Sequence, residues 1–462
     1  ATECVEAFER GDISLEECEY RLSLAMGGSY GNAPSNVAKL ATHYAETKDK
    51  SGNRVIHRLW VYAPGIGTKT GEGDSLVGSI SGMGETGIVS QVRDVFANAA
   101  NRVSELELPG QIRVLKVDLF GFSRGAASAR HAVYEIQKGQ SGALGEAFRK
   151  EGIDWPEETK IRFVGLFDTV AAIVNPLLLD FAPGNSLNEP VRVSLDPAHV
   201  ERAVHIVAAD EVRKNFSLNS LRNADGSLPE AFREISLPGV HSDIGGGYPD
   251  AQREDVLLTP YHLIPTSRHR WPEQTMQWDN LEELRSTIVS EGWVGERSSP
   301  DQLSERYDSA TAGFGAEADS YLGIYKKVSS HPAPDGRVEL ALRMIREVRG
   351  EYSLIALKVM CELAKEAGVP FRDINSSDGA KLPEDLESIA ETILDQVASG
   401  SDSPSLSTEQ RALIRQRYTH YSANYNPLRT MVKGLVATFR LGRHFSPNAP
   451  ADSGKRTIHP NN

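Results

Sequence analysis

VLKVDLFGFSRGAASARHAVYEIQKG, residues 114–139, is the stretch on which the fold turns. Val114 to Phe120 form a largely apolar run, with β-branched Val114 and Val117, that suits a strand. Gly121-Phe122-Ser123-Arg124-Gly125 follows, and small residues with helix formers begin at once. A chain that passes from strand to helix this abruptly needs space on both sides of the turn. The spacing predicts that side chains larger than hydrogen would clash at both flanking positions, hence Gly121 and Gly125. The same turn lifts the Ser123 hydroxyl clear of the sheet and aims the Arg124 backbone N–H at any negative charge developing beside it.

The flanking chain supplies a matching frame. YRLSLAM (20–26) has strand character and is followed by a glycine turn. SNVAKLATHYAE has a helical pattern, with Asn36 or Ser35 as its cap. RLWVYAPGIGT (58–68) predicts a strand and a second glycine turn, and IVSQVRDVFANAANRVSEL (88–106) a helix. IRFVGLFDTV (161–170) and FREISLPGVHSD (232–243) continue the strand series. Strands separated by helices predict a mostly parallel α/β sheet with helices on both faces, and ligands gather at the carboxyl ends of such strands. Residues 1–249 are therefore expected to form an α/β-hydrolase-like core around the elbow. Residues 250–410 carry charged stretches such as VELALRMIREVRGEYSLIALKVMCELAKEAG (338–368), so a large helical cap or insertion is expected there. Residues 411–462 are expected to return to the core.

Composition excludes several functions. The net charge is −13 over 462 residues, which argues against nucleic acid as a partner, because phosphate binding needs a cationic footprint. No uninterrupted apolar run approaches the roughly 18 to 20 residues that cross a bilayer. The stretch ATECVEAFERGDISLEECEY is polar and acidic, unlike a Sec signal, and its lack of a Met suggests a trimmed start. Cys4, Cys18 and Cys361 are the three cysteines; they lack metal-ligand spacing, and free thiols or a Cys4–Cys18 bridge are both open.

G-x-S-x-G at a strand-to-helix junction is the nucleophile elbow of α/β-hydrolases, whose partners follow in the order Ser, Asp, His. Asp168 ends the strand after the elbow, and Asp243 ends a later one in HSDIGGGY. His420 lies late in the chain, in YTHYSANYNP. The usual placement of the acid after the seventh strand and the base after the last favours Asp243 with His420. The competing pair is Asp168 with His241. Gly28, in the turn after the first strand, is the candidate second oxyanion donor beside Arg124. This chemistry requires no metal and no organic cofactor. NPLRTMVKGLVATFRLGRHF (426–445) combines an apolar helical face with Arg429, Lys433, Arg440 and Arg443; such a face packs on a core or lies on an anionic membrane.

GFSRGAASAR, VGLFDTVAA, AADEVRKNF and LPGVHSDIGGGY, with YAPGIGT and YTHYS more loosely, resemble the GFSRG hydrolases that include the type VI secretion lipase effectors, the Tle phospholipases. Members of that family usually carry an aspartate in a D-G-T turn after the first strand, where this chain has Gly27-Gly28-Ser29. The resemblance implies a phospholipase A-type serine esterase that acts as an antibacterial toxin. It implies synthesis in the bacterial cytoplasm, transport on a secretion spike protein to the target cell envelope or periplasm, membrane phospholipid as substrate, and a cognate immunity protein. A hydrolase of soluble esters or thioesters, or a binding module with a vestigial elbow, would carry the same turn.

Overall fold

The computed structural model describes residues 33–51, 54–63, 65, 87–106, 108, 110–171, 190–265, 271–294, 320–328, 337–426, 446 and 448–461. The expected strand at 20–26, the Gly27–Ser29 turn and nearly all of the 426–445 stripe lie outside them. The described chain divides into two compact units. One comprises 1–247, 353–405 and 451–462; the other comprises 248–352 and 406–450.

In the first unit, α1 (Asn36–His43) begins where the Ser35 hydroxyl accepts the Ala38 N–H. β1 (Thr47–Ser51) and β2 (Arg54–Arg58) form an antiparallel hairpin. The strand expected at 58–68 thus ends where it was predicted to begin. α2 (Ile88–Ser104) buries Val92, Phe96, Ala100 and Val103, spaced three or four residues apart on one face. β3 (Val114–Phe122) runs into α3 (Arg124–Gln137), which is followed by α4 (Ala143–Lys150) and β4 (Glu158–Phe167). β5 (Ala203–Ala208), the short β6 (Leu218–Asn219), β7 (Phe232–Leu237) and the one-turn α5 (His241–Gly245) complete this run.

β3, β4, β5 and β7 form a four-stranded, wholly parallel sheet in that order. All six residues of β5 are buried, as expected of an inner strand covered on both faces. This strand was not anticipated. Its Ala-Val-His-Ile-Val-Ala run has His205 in the middle, and that histidine is tolerated because Glu234 on β7 satisfies it. Missing it shortened the strand count between Ser123 and Asp243 by one. On one face α2, α3 and α4 pack into a core that includes Phe96, Val133, Ile136, Phe148, Val164 and Leu166.

The chain then enters the second unit, where the expected helical cap or insertion also carries strands. β8 (Gln252–Leu257) and β9 (His262–Pro265) precede α6 (Met276–Ser290), and β10 (Tyr321–Val328) and β11 (Arg337–Val348) follow. These four strands form an antiparallel sheet in which β11 pairs with the other three. Residues 338–348 imitate a helix because Glu339, Arg343 and Glu347 recur every four residues. Arg346, however, is buried, and its Nε donates to Glu254 on β8 at 2.7 Å. Strand pairing therefore overrides the helix propensity of Leu, Ala, Met and Arg.

α7 (Ser353–Glu366) and α8 (Glu384–Ala398) belong to the first unit rather than to a cap, and α7 contacts β4, β5, α1 and α5. The two units are thus interleaved along the chain, unlike the sequential segments expected. α9 (Thr408–Arg417) lies in the second unit and β12 (Ile458–His459) in the first, where it pairs in parallel with β6. No helix among the described residues is long and apolar enough to cross a membrane.

Candidate active site

Ser123 caps α3 with φ 57° and ψ −124°, a region that costs an L-residue energy and is held only by its surroundings. Those surroundings are visible. The Ser123 N–H donates to Phe167 O at 3.1 Å, and the Ser123 carbonyl accepts the N–H groups of Ala126 and Ala127 at 3.0 and 3.2 Å. A Cβ on Gly121 would come within 2.2 Å of the Gly125 carbonyl oxygen, so that glycine is required. Gly125 is different. Apart from its chain neighbours and the backbone of α3 itself, no described atom lies within 4 Å of its ideal Cβ, and the expected clash there is not found. Gly245 also has a steric reason, because a Cβ on it would meet the Phe122 ring at 2.1 Å.

Asp168, immediately after β4, is the only other described non-glycine residue with positive φ, 41°. Its side chain has no exposure. Oδ1 accepts the Ala208 N–H at 3.0 Å, and Oδ2 lies 2.5 Å from Nδ1 of His241, the first residue of α5. Arg456 adds a bidentate pair at 2.7 and 2.8 Å. Burial pushes this carboxyl up, but the Arg456 charge and the hydrogen bonds from His241 and Arg456 outweigh it and hold it well below the usual carboxylate range.

A carboxylate held ionised can only accept, so His241 Nδ1 carries the proton and Nε2 presents its lone pair. Among the described residues Nε2 has no hydrogen-bond partner. The ring lies between Phe122 and Phe216, with centroids 4.6 and 5.0 Å away. Buried Glu211 accepts the His241 backbone N–H at 3.2 Å and pairs with Arg213, whose guanidinium covers the Phe216 ring at 3.4 Å. Burial lowers the His241 pKa from 6.5; Asp168 opposes that shift, while Arg213 and Arg456 reinforce it.

Asp243 and His420, the pair favoured from strand order, make other contacts. Asp243 accepts the Val240 N–H on Oδ2 at 2.9 Å, closing the first turn of α5. His420 belongs to the second unit and stacks on Tyr248, with centroids 3.5 Å apart and planes 14° from parallel. Its chain segment is fixed by Arg346, which donates to Thr419 O at 2.8 Å, and by Glu254, which accepts the Tyr421 N–H at 2.7 Å. Arg124 is the first residue of α3, and Gly28 lies outside the described residues. Among the described residues no group of three or more His, Cys, Asp or Glu is gathered as metal ligands.

Arg456, Glu211 and Arg213 were not singled out from the sequence. The first sits in a tail that reads as irregular. The other two lie in AADEVRKNF, where an acid and an arginine two residues apart give no signal until the fold sets them beside His241.

A solved structure described as the Tle1 effector bound to the VgrG spike from the type VI secretion system aligns over 93% of this chain and 83% of that one, with TM-score 0.66 and 24% identity. An uncharacterized protein from Pseudomonas aeruginosa aligns at TM-score 0.28 and 19% identity, over 72% of this chain and 34% of that one, which carries no argument. No curated protein matches the sequence. The family model for the catalytic domain of Tle1-like type VI secretion phospholipase effectors matches residues 25–144 and 133–278, more than half of the chain, and the chain belongs to that family.

Proposed function

We propose that the protein is a serine esterase of the phospholipase A type in which Ser123 is the nucleophile, His241 the base and Asp168 the orienting acid. The observation that carries the reading is the Asp168–His241 hydrogen bond, formed at the carboxyl ends of β4, the neighbour of the elbow strand β3, and of β7 in the same parallel sheet. β7, which leads to His241, is the last strand of that sheet in the chain, so the order Ser, Asp, His is kept. The Asp243–His420 pairing expected from the sequence gives way to this one.

In the proposed reaction His241 Nε2 takes the Ser123 proton as Oγ attacks the acyl carbonyl. The Arg124 N–H faces the oxyanion, and Gly28 remains the candidate second donor. The imidazolium, oriented by Asp168, returns the proton to the leaving lysophospholipid oxygen. His241 then deprotonates water, which attacks the acyl enzyme, and the fatty acid leaves as Ser123 is re-protonated. Every step uses this chain's own groups and water.

Family membership supports the following biological setting. The protein is made in the bacterial cytoplasm, travels with a spike protein of the kind seen bound to the Tle1 effector, and attacks membrane phospholipid in a target envelope. A cognate immunity protein neutralises it. Release of fatty acid from phospholipid vesicles by the purified chain, absent in Ser123→Ala, tests the enzymatic part. Equal release by the two proteins would refute it.

A further inference from the structure

Oδ2 of Asp168 serves two donors, His241 Nδ1 and Arg456 Nη2, while Arg456 Nη1 bonds Oδ1. The Arg456 side chain is only 6% exposed, and its Nε donates to the Phe216 carbonyl. It is carried on a strap, residues 451–461, that is fastened on both sides of it. Before Arg456, the Ala451 N–H donates to Val212 O at 2.8 Å. After it, the Thr457 carbonyl accepts the Leu218 N–H at 2.9 Å, and β12 pairs with β6. The Asn461 side chain accepts from Leu195 N–H at 2.7 Å and from Arg130 Nη2 at 3.0 Å.

We infer that Arg456 is a positioning residue of the hydrolytic site, and that the 451–461 strap, by delivering it, sets the charge of Asp168 and the basicity of His241. The inference rests on the Asp168–His241 reading above. A carboxylate with no exposure and no counter-charge would take up a proton and lose its grip on the imidazole. The bidentate guanidinium prevents that and fixes the plane of the carboxylate.

The same cation acts against the imidazolium that forms during the reaction. The charged groups facing His241 are Asp168 at the end of β4, Glu211 and Arg213 after β5, and Arg456 from the strap. They comprise two acids and two bases, which leaves the ring neutral at rest. Removing Arg456 takes away one positive charge, so the Asp168–His241 pair holds a proton to higher pH. The base works deprotonated, and the acid limb of the rate profile must therefore move to higher pH.

The test is the pH dependence of kcat for a short soluble ester, measured on full-length Arg456→Met, Arg456→Ala and Arg456→Lys with folding checked by circular dichroism. In Arg456→Met the acid limb should move up by roughly one pH unit and the plateau should fall by about 100-fold through misplacement of the base. Arg456→Lys, which keeps charge but not the fork, should hold the wild-type acid limb with reduced kcat. Millimolar guanidinium should restore activity to Arg456→Ala and not to Ser123→Ala. A folded Arg456→Met with the wild-type acid limb, or no guanidinium rescue of Arg456→Ala, would overturn the inference. If Arg456→Met does not fold, full kcat in Arg456→Lys overturns it. Asp168→Asn and His241→Ala are run alongside. Should they retain most activity, the site reading itself fails; should they be inactive while Arg456→Met is normal, only the strap inference fails.

Discussion

His241 and Asp168 are 73 residues apart in the chain, yet Nδ1 of the one lies 2.5 Å from Oδ2 of the other. The contact joins the residue after β4 to the first residue of α5, two strand positions apart in the sheet. Its consequence for pH follows from the direction of the His241 shift. Burial lowers the histidine below 6.5, and Asp168 only partly restores it. A group whose folded pKa is depressed keeps its neutral form to lower pH. kcat/KM should therefore be flat through neutrality and fall only below 6.5, as a pH profile on a soluble ester will show. An acid limb centred above 6.5 would contradict it.

Ser123→Ala should abolish hydrolysis, by about 10⁶-fold in turnover where the triad acts as a unit. The fold should survive, because the elbow is held by backbone hydrogen bonds of residue 123 rather than by its hydroxyl. Vesicle hydrolysis and a thermal melt on the same preparation check both halves.

The two elbow glycines should separate. Gly121→Ala places a Cβ 2.2 Å from the Gly125 carbonyl and 2.5 Å from Ala126 Cα, so soluble, active protein is not expected. Apart from its chain neighbours and the backbone of α3 itself, Gly125→Ala meets no described atom within 4 Å and adds a helix former near the start of α3, so its melting temperature should stay within a few degrees of wild type. Similar behaviour of the two variants would show that the turn is shaped by something other than this contact.

Behind the site, His205 Nε2 accepts the N–H of Thr169, the residue after Asp168, at 3.0 Å, and its Nδ1 is 3.1 Å from Glu234. Burial pushes Glu234 up, but hydrogen bonds from His205, Leu221 and Ser220 outweigh it and hold the carboxyl at about 2. A depressed carboxylate contributes stability above its unfolded pKa, near 4.5, and loses it as pH falls toward 2. Glu234→Gln should cost on the order of 2–3 kcal/mol near pH 7, a deficit that shrinks between about pH 5 and pH 2. Denaturant melts across that range measure it; a deficit independent of pH would argue against an ionised Glu234.

Much of this was legible in residues 114–139. A strand, a strained serine and a helix of small residues leave little choice of local fold. For the acid and base, the residues favoured Asp243 with His420 and left Asp168 with His241 as the alternative. β5 carries a histidine at its centre, so its six buried residues did not register as a strand, and the strand count from Ser123 to Asp243 was off by one. β7 is the last parallel strand with or without β5, and in the proposed assignment His241 follows it. Arg456 was illegible, since nothing in SGKRTIHPNN indicates that its arginine reaches a buried carboxylate. Asp243 and Asp168 could not be told apart in the sequence, because a helix-capping acid and a catalytic acid look alike at the end of a strand.

The most direct measurement is fatty acid release from phospholipid vesicles by His241→Ala and His420→Ala, side by side with Ser123→Ala. His241→Ala should fall to the level of Ser123→Ala, and Asp168→Asn should lose about 10⁴-fold through the wrong imidazole tautomer. His420→Ala should lose its stack on Tyr248 and some stability, but keep most of its turnover as folded protein. Retained activity in His241→Ala, with His420→Ala inactive and folded, would contradict the assignment and return the base to the second unit.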